Sequence, residues 1–189
     1  MYDLLIKGGT VIDPSQGIHG VNDVAVEKGK IARVASSIPI EEALRVVEVR
    51  GKLVTPGLID LHTHVYDGVN NNGVAPDLGG VRAGVTTMVD AGSAGCDNIG
   101  GFPRHIIPNN HTEVICFLHI CRTGLTTSPD IFSPASIDLE KTIQVASENR
   151  SFISGIKARM VSPALEIMGM EMPRLAKQAA KEAGIKLMV

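Results

Sequence analysis

Thr55-Pro56-Gly57-Leu58-Ile59-Asp60-Leu61-His62-Thr63-His64-Val65-Tyr66 is the stretch whose reading decides the fold. Pro56-Gly57 punctuates its start, and the apolar run that follows ends in a His-x-His pair. Read as a strand, it puts side chains two apart on one face, ~6.5–7 Å apart along the chain. Asp60, His62 and His64 then point the same way. Two imidazoles at that spacing can close on one metal ion with bonds of about 2.0–2.1 Å. A bare His-x-His is more often two polar residues at a strand end. The Pro-Gly start, the buried-looking strand and an aspartate on the same face weaken that reading here.

Downstream, the pattern repeats as strand, glycine-rich loop, helix, strand, which is the rhythm of parallel βα units. Strands are predicted at 58–64, 85–90, 113–120, 152–158 and 185–189. Helices are predicted at 76–83, ended near Gly84, at 102–107, at 136–149 with Ser136 as N-cap, and at 163–183 as the longest, ended by Gly184. Upstream, residues 2–54 read as short strands: Leu4–Lys7 and Thr10–Asp13 around Gly8-Gly9, a hairpin across Glu27-Lys28-Gly29-Lys30, and a second pair of strands flanking Arg50-Gly51-Lys52. That small all-β unit shows no catalytic chemistry.

The Pro56–His64 run resembles the first barrel strand of the amidohydrolase superfamily, in its dihydroorotase-like and deacetylase branch. The resemblance implies an α/β fold, a (β/α)8 TIM barrel with metals at the C-terminal ends of its strands, with His62 and His64 as metal ligands. It also implies that residues 1–54 are the N-terminal part of a small β-sandwich and that 55–189 are the first half of the barrel. Five strands are counted where a barrel closes with eight, so the expectation is the N-terminal half of a longer chain, inactive alone, with a histidine encoded at or very near the codon after Val189.

Lys157 is the second anchor. Strand alternation puts Gly155, Lys157 and Arg159 on one face, and a lysine is an odd filling for a barrel interior unless modified or paired. Gly155-Ile156-Lys157-Ala158-Arg159 is similar to the family motif in which a lysine takes up carbon dioxide as a carbamate and becomes an anionic metal ligand. The plainer alternative is an ion pair with Asp60 or Asp90. The resemblance implies metal-assisted hydrolysis of an amide or ester, N-acyl, O-acyl or cyclic, by one or two divalent ions, zinc or similar. Two further histidine ligands and an aspartate base are expected beyond Val189. It also implies a small-molecule substrate and, for the full-length protein, a homo-oligomer.

The remaining candidates are weaker. Tyr66 and His119 are candidates to face substrate. Asp90 and Gly92-Ser93-Ala94-Gly95 suit either an active-site loop or ordinary turn chemistry, and no Gly-Lys-Ser/Thr follows to bind phosphate. Cys116-x2-His119-x-Cys121 suggests zinc only superficially, since Cys116 faces away from the other two on a strand. Arg122 reads as a surface arginine or a partner for a substrate carboxylate. His19, His105 and His111 read as loop or surface residues. One departure concerns substrate: dihydroorotases usually carry an arginine where this chain has Tyr66, so dihydroorotate itself is an unexpected substrate.

Composition sets outer bounds. The 189 residues are 44% hydrophobic and 20% charged, with net charge −2. Nothing there points to nucleic acid or an anionic membrane. No apolar run approaches the ~18 residues of a membrane span, and no signal peptide is evident. Three cysteines without framework spacing fit a reducing compartment, so a cytoplasmic location is expected. Two rivals remain: a non-catalytic scaffold with the same fold, and an unrelated α/β module binding a ligand in the loop after Asp90.

Overall fold

The computed structural model describes residues 1–189, which form two compact units, Met1–Gly57 and Leu58–Val189. In the first, β1 (Leu4–Asp13), β2 (Ile18–Glu27), β3 (Lys30–Ala35), β4 (Val46–Glu48) and β5 (Leu53–Val54) make one mixed sheet in the order β3-β2-β1-β4, with β5 also on β1. Leu4–Lys7 and Thr10–Asp13 are one strand. Gly8-Gly9 is a register irregularity within it. A Cβ on Gly9 would stand 2.6 Å from Val54 Cγ2 and 2.9 Å from Val49 Cγ2, so glycine is needed there. The β2–β3 loop is tighter than the four residues expected. Lys28 and Gly29 alone turn the chain, with φ of 51° and 73°, as a two-residue hairpin of the mirror-image type requires. The strands on either side of Arg50-Gly51-Lys52 do not pair with each other as the sequence suggested. Each runs parallel to β1. Asp23 anchors this unit: its carboxylate accepts bonds from Lys7 Nζ at 2.7 Å and from the Gly8 and Ile38 N–H groups at 2.8 Å.

The second unit is a five-stranded, all-parallel sheet in the order β10-β9-β8-β7-β6. Its strands are β6 (Leu58–Thr63), β7 (Val85–Ala91), β8 (Glu113–His119), β9 (Ile153–Lys157) and β10 (Lys186–Met188). These five match the strands read from the sequence to within two residues at each end. Parallel neighbours need crossover connections, and every connection here carries helical turns. The C-terminal ends of all five strands therefore lie at one end of the sheet. The core joins Val114, Cys116, Leu118, Ile153 and Ile156 to a stripe of Met172, Ala176, Ala179 and Ala180. That stripe has helical spacing, and its alanines let the helix approach closely.

The helices correct the sequence reading in two places. The expected 163–183 helix is two: α3 (Ala164–Met168) and α4 (Glu171–Glu182), separated at Gly169 with φ +52°. The helix expected from Ser136 is α2 (Leu139–Glu148), after a turn of 3-10 helix at Pro134–Ser136. Its cap is Asp138, whose carboxylate accepts the Lys141 N–H at 3.0 Å. Ser136 Oγ instead accepts the N–H groups of Phe132 and Ser133. Pro76 opens α1 (Pro76–Gly79), and Gly84 ends the following turn with φ +89°. A single π turn spans Phe102–Ile106.

Two outcomes are expected from this packing. A Cβ at Gly95 would fall 1.9 Å from the Cys121 carbonyl oxygen, whereas nothing lies within 4 Å of one at Gly100. Gly95→Ala should destabilise by more than about 1–3 kcal/mol, and Gly100→Ala should be nearly silent in thermal unfolding. The second concerns Asp77. Its carboxylate accepts the Thr112 N–H at 2.8 Å, the Thr112 hydroxyl at 2.9 Å and the His111 N–H at 2.9 Å. These bonds, the Thr112 backbone first, hold its carboxyl far below the usual range. A depressed carboxyl adds stability above its unfolded value near 4, and the gain is lost as pH falls below it. Asp77→Asn should therefore melt lower than wild type at pH 7, and the difference should shrink as pH drops below about 4.

Candidate metal and substrate site

The site is built at the C-terminal end of the parallel sheet. β6 carries His62 to its last turn, and the chain leaves it through Thr63, whose hydroxyl donates to the Val89 carbonyl at 2.9 Å. The next contact fixes the loop: the Val65 N–H donates to Asp90 Oδ2 at 2.8 Å. Asp90 Oδ1 accepts the Ser93 N–H at 2.7 Å. Asp90 is 1% exposed, and burial pushes its carboxyl up while these bonds pull it down. The turn role of Asp90 is thus the one the structure displays.

His64 lies in this frame. Its Nδ1 is 3.0 Å from Ser93 Oγ, which leaves Nε2 as the free nitrogen. Burial, opposed in part by Asp90, keeps it from protonating at its ordinary pH. The His62 and His64 rings stand 5.8 Å apart between centroids at 79°. Bonds of about 2.0–2.1 Å from two imidazoles to one ion place ring centres roughly 5–6 Å apart, so this pair fits a shared cation. Asp60 is not aimed with them; its Oδ1 accepts the His62 N–H at 3.1 Å. No group of three or more His, Cys, Asp and Glu side chains is clustered to hold a metal.

Lys157 ends β9 and is 5% exposed. Neither Asp60 nor Asp90 pairs with it; the ion pairs of the chain do not include it. Burial first, then the Arg159 charge, lower its pKa from the ordinary lysine value. The backbone makes room for it: a Cβ on Gly92 would come within 2.8 Å of Lys157 Cγ and 2.9 Å of His119 Cδ2. Gly92 also has φ +89°, so glycine is required there twice over.

His119 is the register partner of Lys157 on β8 and is fully buried. The Cys121 N–H donates to its Nδ1 at 3.0 Å, so the ring proton sits on Nε2. That N–H faces Asp130 Oδ2 at 3.5 Å, without forming a hydrogen bond. Burial lowers the His119 pKa to about 4. The contact is therefore an approach of a neutral ring to a carboxylate, not an ion pair. Asp130 is 1% exposed, and Arg159 Nε reaches it at 3.6 Å. Nothing in the sequence signals Asp130, which meets His119 only through the folding of the loop after β8. Ser93 stood in a loop already singled out, but its bond to His64 was not legible.

The other candidates fall elsewhere. Tyr66 is turned into the core, stacked on Phe102 at 4.5 Å, and its hydroxyl donates to the Asn98 carbonyl at 2.7 Å. Arg122 pairs with Asp97 at 2.9 Å, which also takes Lys141 at 2.6 Å. Cys116 is buried, and Cys121 donates its thiol to the Asp130 carbonyl, so the three residues of the Cys-x2-His-x-Cys run share no site. His19, His105 and His111 are exposed. No helix is long and apolar enough to cross a membrane.

No protein-family model matches the chain. A deacetylase of Agrobacterium fabrum is 32% identical over 164 residues, covering 85% of this chain and 40% of that protein. Crystal structures of a dihydroorotase and of an adenine deaminase superpose with TM-scores of 0.87 and 0.84. Each is 28% identical and covers all of this chain and 51% of its own. The chain thus spans about half the length of the proteins it matches. With the parallel sheet, the His-x-His strand and these relatives in hand, the chain belongs to the amidohydrolase superfamily, in its dihydroorotase-like and deacetylase branch.

Proposed function

We propose that this chain carries part of the active site of a metal-dependent amidohydrolase that cleaves an N-acyl, O-acyl or cyclic amide substrate. The observation that carries the reading is the set of His62 and His64, edge-on at 5.8 Å, with a buried, unpaired Lys157 at the same end of one parallel sheet. His62 and His64 would hold a divalent ion, zinc or similar. Lys157, as a carbamate, would add anionic oxygens. Carbamate formation joins the neutral amine to carbon dioxide and releases one proton. The lowered pKa of Lys157 favours the neutral amine that this step needs. When bound, such an ion activates water and polarises a carbonyl.

The chain's own residues orient that chemistry. Ser93 holds His64 by its Nδ1, as partners behind metal-ligating histidines commonly do. Asp90 fixes Ser93 and the loop that carries His64. Gly92 admits the Lys157 stem. On the same reading, the parallel sheet is part of a (β/α)8 barrel and the mixed sheet part of a β-sandwich, both completed by further strands. Further histidine ligands and an aspartate base would come from those strands.

The experiment is metal analysis of the full-length protein. His62→Ala with His64→Ala should lose bound metal and turnover together, and full metal occupancy in the double variant would sink the assignment. Lys157→Ala should be inactive and partly rescued by a small added carboxylic acid, which supplies the missing oxygens. Failure of rescue together with a salt-bridged Lys157 ammonium in the holoenzyme would refute the carbamate. For substrate, the buried and neutral Tyr66 offers no cationic anchor after the histidines; such an anchor contributes roughly 1.5–3 kcal/mol. Dihydroorotate should trail N-acyl and O-acyl compounds in kcat/KM by about tenfold or more, and a panel led by dihydroorotate would overturn this choice.

A further inference from the structure

A cleft of about 340 Å³ lies in the first unit, lined by Lys7, Gly8, Val21, Asp23, Ser36 and Arg50. That is within the range of small-molecule sites, roughly 300–1,000 Å³. Ser36 follows β3, Val21 and Asp23 lie on β2, Lys7 and Gly8 on β1, and Arg50 stands two residues after β4. The sheet order is β3-β2-β1-β4, so the cleft crosses four neighbouring strands. A β-bulge builds its floor. Ile6 pairs with Val24 and Gly9 with Asn22, so Lys7 and Gly8 together oppose Asp23. Bulges of this two-against-one kind re-aim side chains. This one turns the Gly8 N–H and the Lys7 ammonium onto the Asp23 carboxylate. The Ile38 N–H joins them, and Asp23 is 3% exposed. Three donors, one of them charged, thus compensate the one acid of the cleft.

The cations are not exhausted by this pairing. Lys7 Nζ donates to Asp23 and to the Ile38 carbonyl at 3.0 Å, and an ammonium has three N–H donors. Arg50 lies over the bulge. A Cβ on Gly8 would stand 3.0 Å from Arg50 Cγ, so the bare backbone leaves room for the arginine stem. The φ of +74° at Gly8 asks for glycine as well. The one charge contact of Arg50 is from Nε to Glu48 at 3.5 Å, with both side chains well exposed. Such a pair contributes little, and it leaves the Nη edge of the guanidinium outside it. Ser36 adds a hydroxyl on the exposed rim, and Val21, 65% exposed, gives an apolar wall. An arginine fork beside a lysine point charge is the donor set that suits phosphate oxygens.

We propose that this cleft binds a phosphate dianion, free or as a small organic phosphomonoester, with Arg50 and Lys7 as its cationic donors and Ser36 as a hydroxyl donor. The first unit alone supplies every one of these residues. The site needs neither metal nor turnover, so it stands or falls apart from the hydrolase reading. A ligand held only by the folded unit also stabilises it by mass action, which gives a second readout.

The test is calorimetry and thermal unfolding of the full-length protein with inorganic phosphate, n-butyl phosphate and acetate. Wild type should bind both phosphates at millimolar concentration and melt higher with them. Acetate, with half the charge or little more, should bind more weakly. Arg50→Gln should weaken phosphate binding by about tenfold or more, and Ser36→Ala should weaken it less. Tighter binding of n-butyl phosphate than of inorganic phosphate identifies an ester laid against Val21. Equal binding identifies free phosphate, and either result supports the site provided that Arg50→Gln weakens it. If neither phosphate binds at millimolar concentration, the proposal is overturned. Phosphate binding that Arg50→Gln leaves unmoved overturns it too, as does acetate binding as tightly as phosphate. Arg50 is exposed, so its variant should fold; if circular dichroism shows that it does not, the Ser36→Ala variant decides alone.

Discussion

The site in this chain depends on one buried carboxylate. Asp90 lies one residue before the end of β7 and takes two short N–H bonds, from Val65 at 2.8 Å and Ser93 at 2.7 Å. One joins it to the loop that continues the His-x-His strand, the other to its own loop. Hydrogen bonds to charged groups contribute about 1.5–3 kcal/mol each, and here they are shielded from water. Without Asp90, Ser93 has no fixed place, and without Ser93 the His64 ring has no anchor at Nδ1. The residue therefore acts on the site by holding two loop backbones and through its charge beside His64.

The second constraint is steric. A buried lysine without a carboxylate partner is costly, so the fold would be expected to exclude it or pair it. It does neither. It lets the Gly92 backbone come so close that any side chain at that position would strike Lys157 and His119. The stem of Lys157 is thus held against main chain and a neutral imidazole, and burial first, then the Arg159 charge, lower its pKa. On the proposed carbamate reading, that lowered pKa favours the neutral amine the reaction needs.

The sequence made the framework legible where physics is local. Apolar runs between glycine-rich loops predicted all five strands of the parallel sheet; β7, β8 and β9 are largely buried, whereas β6, read as buried, is exposed from Leu58 to His62. The His-x-His pair was legible for the same reason, since strand geometry alone puts both rings on one face. Reading failed where tertiary contacts decide. Gly169 splits a helix that periodicity joined, and Asp138 rather than Ser136 caps α2 because a proline-led turn takes up Ser136. β4 and β5 look like a hairpin but each runs parallel to β1, with Val49 and Val54 close over Gly9. Tyr66 seemed free to face substrate, yet a stacking partner 36 residues along the chain, Phe102, draws it into the core. Asp130 had no local signature at all.

Three histidines lie at the same end of the sheet, and hydrogen bonding sorts their chemistry. A ring nitrogen that accepts an N–H must carry a lone pair, so a neutral ring then holds its proton on the other nitrogen. For His119 the partner of Nδ1 is the Cys121 backbone N–H, which can only donate. Its Nε2 is therefore a donor, closed to metal so long as that bond stands. For His64 the partner is the Ser93 hydroxyl, which can accept as readily as donate. Its Nδ1 can hold the proton, and Nε2 is released as a ligand. His62 is exposed and has no ring hydrogen bond, so either nitrogen is open. Whether a histidine here keeps a nitrogen open to a ligand or spends it as a hydrogen-bond donor is thus set by whether its second nitrogen meets a hydroxyl or an amide, and both of those partners are fixed by the loops that the parallel sheet sets side by side.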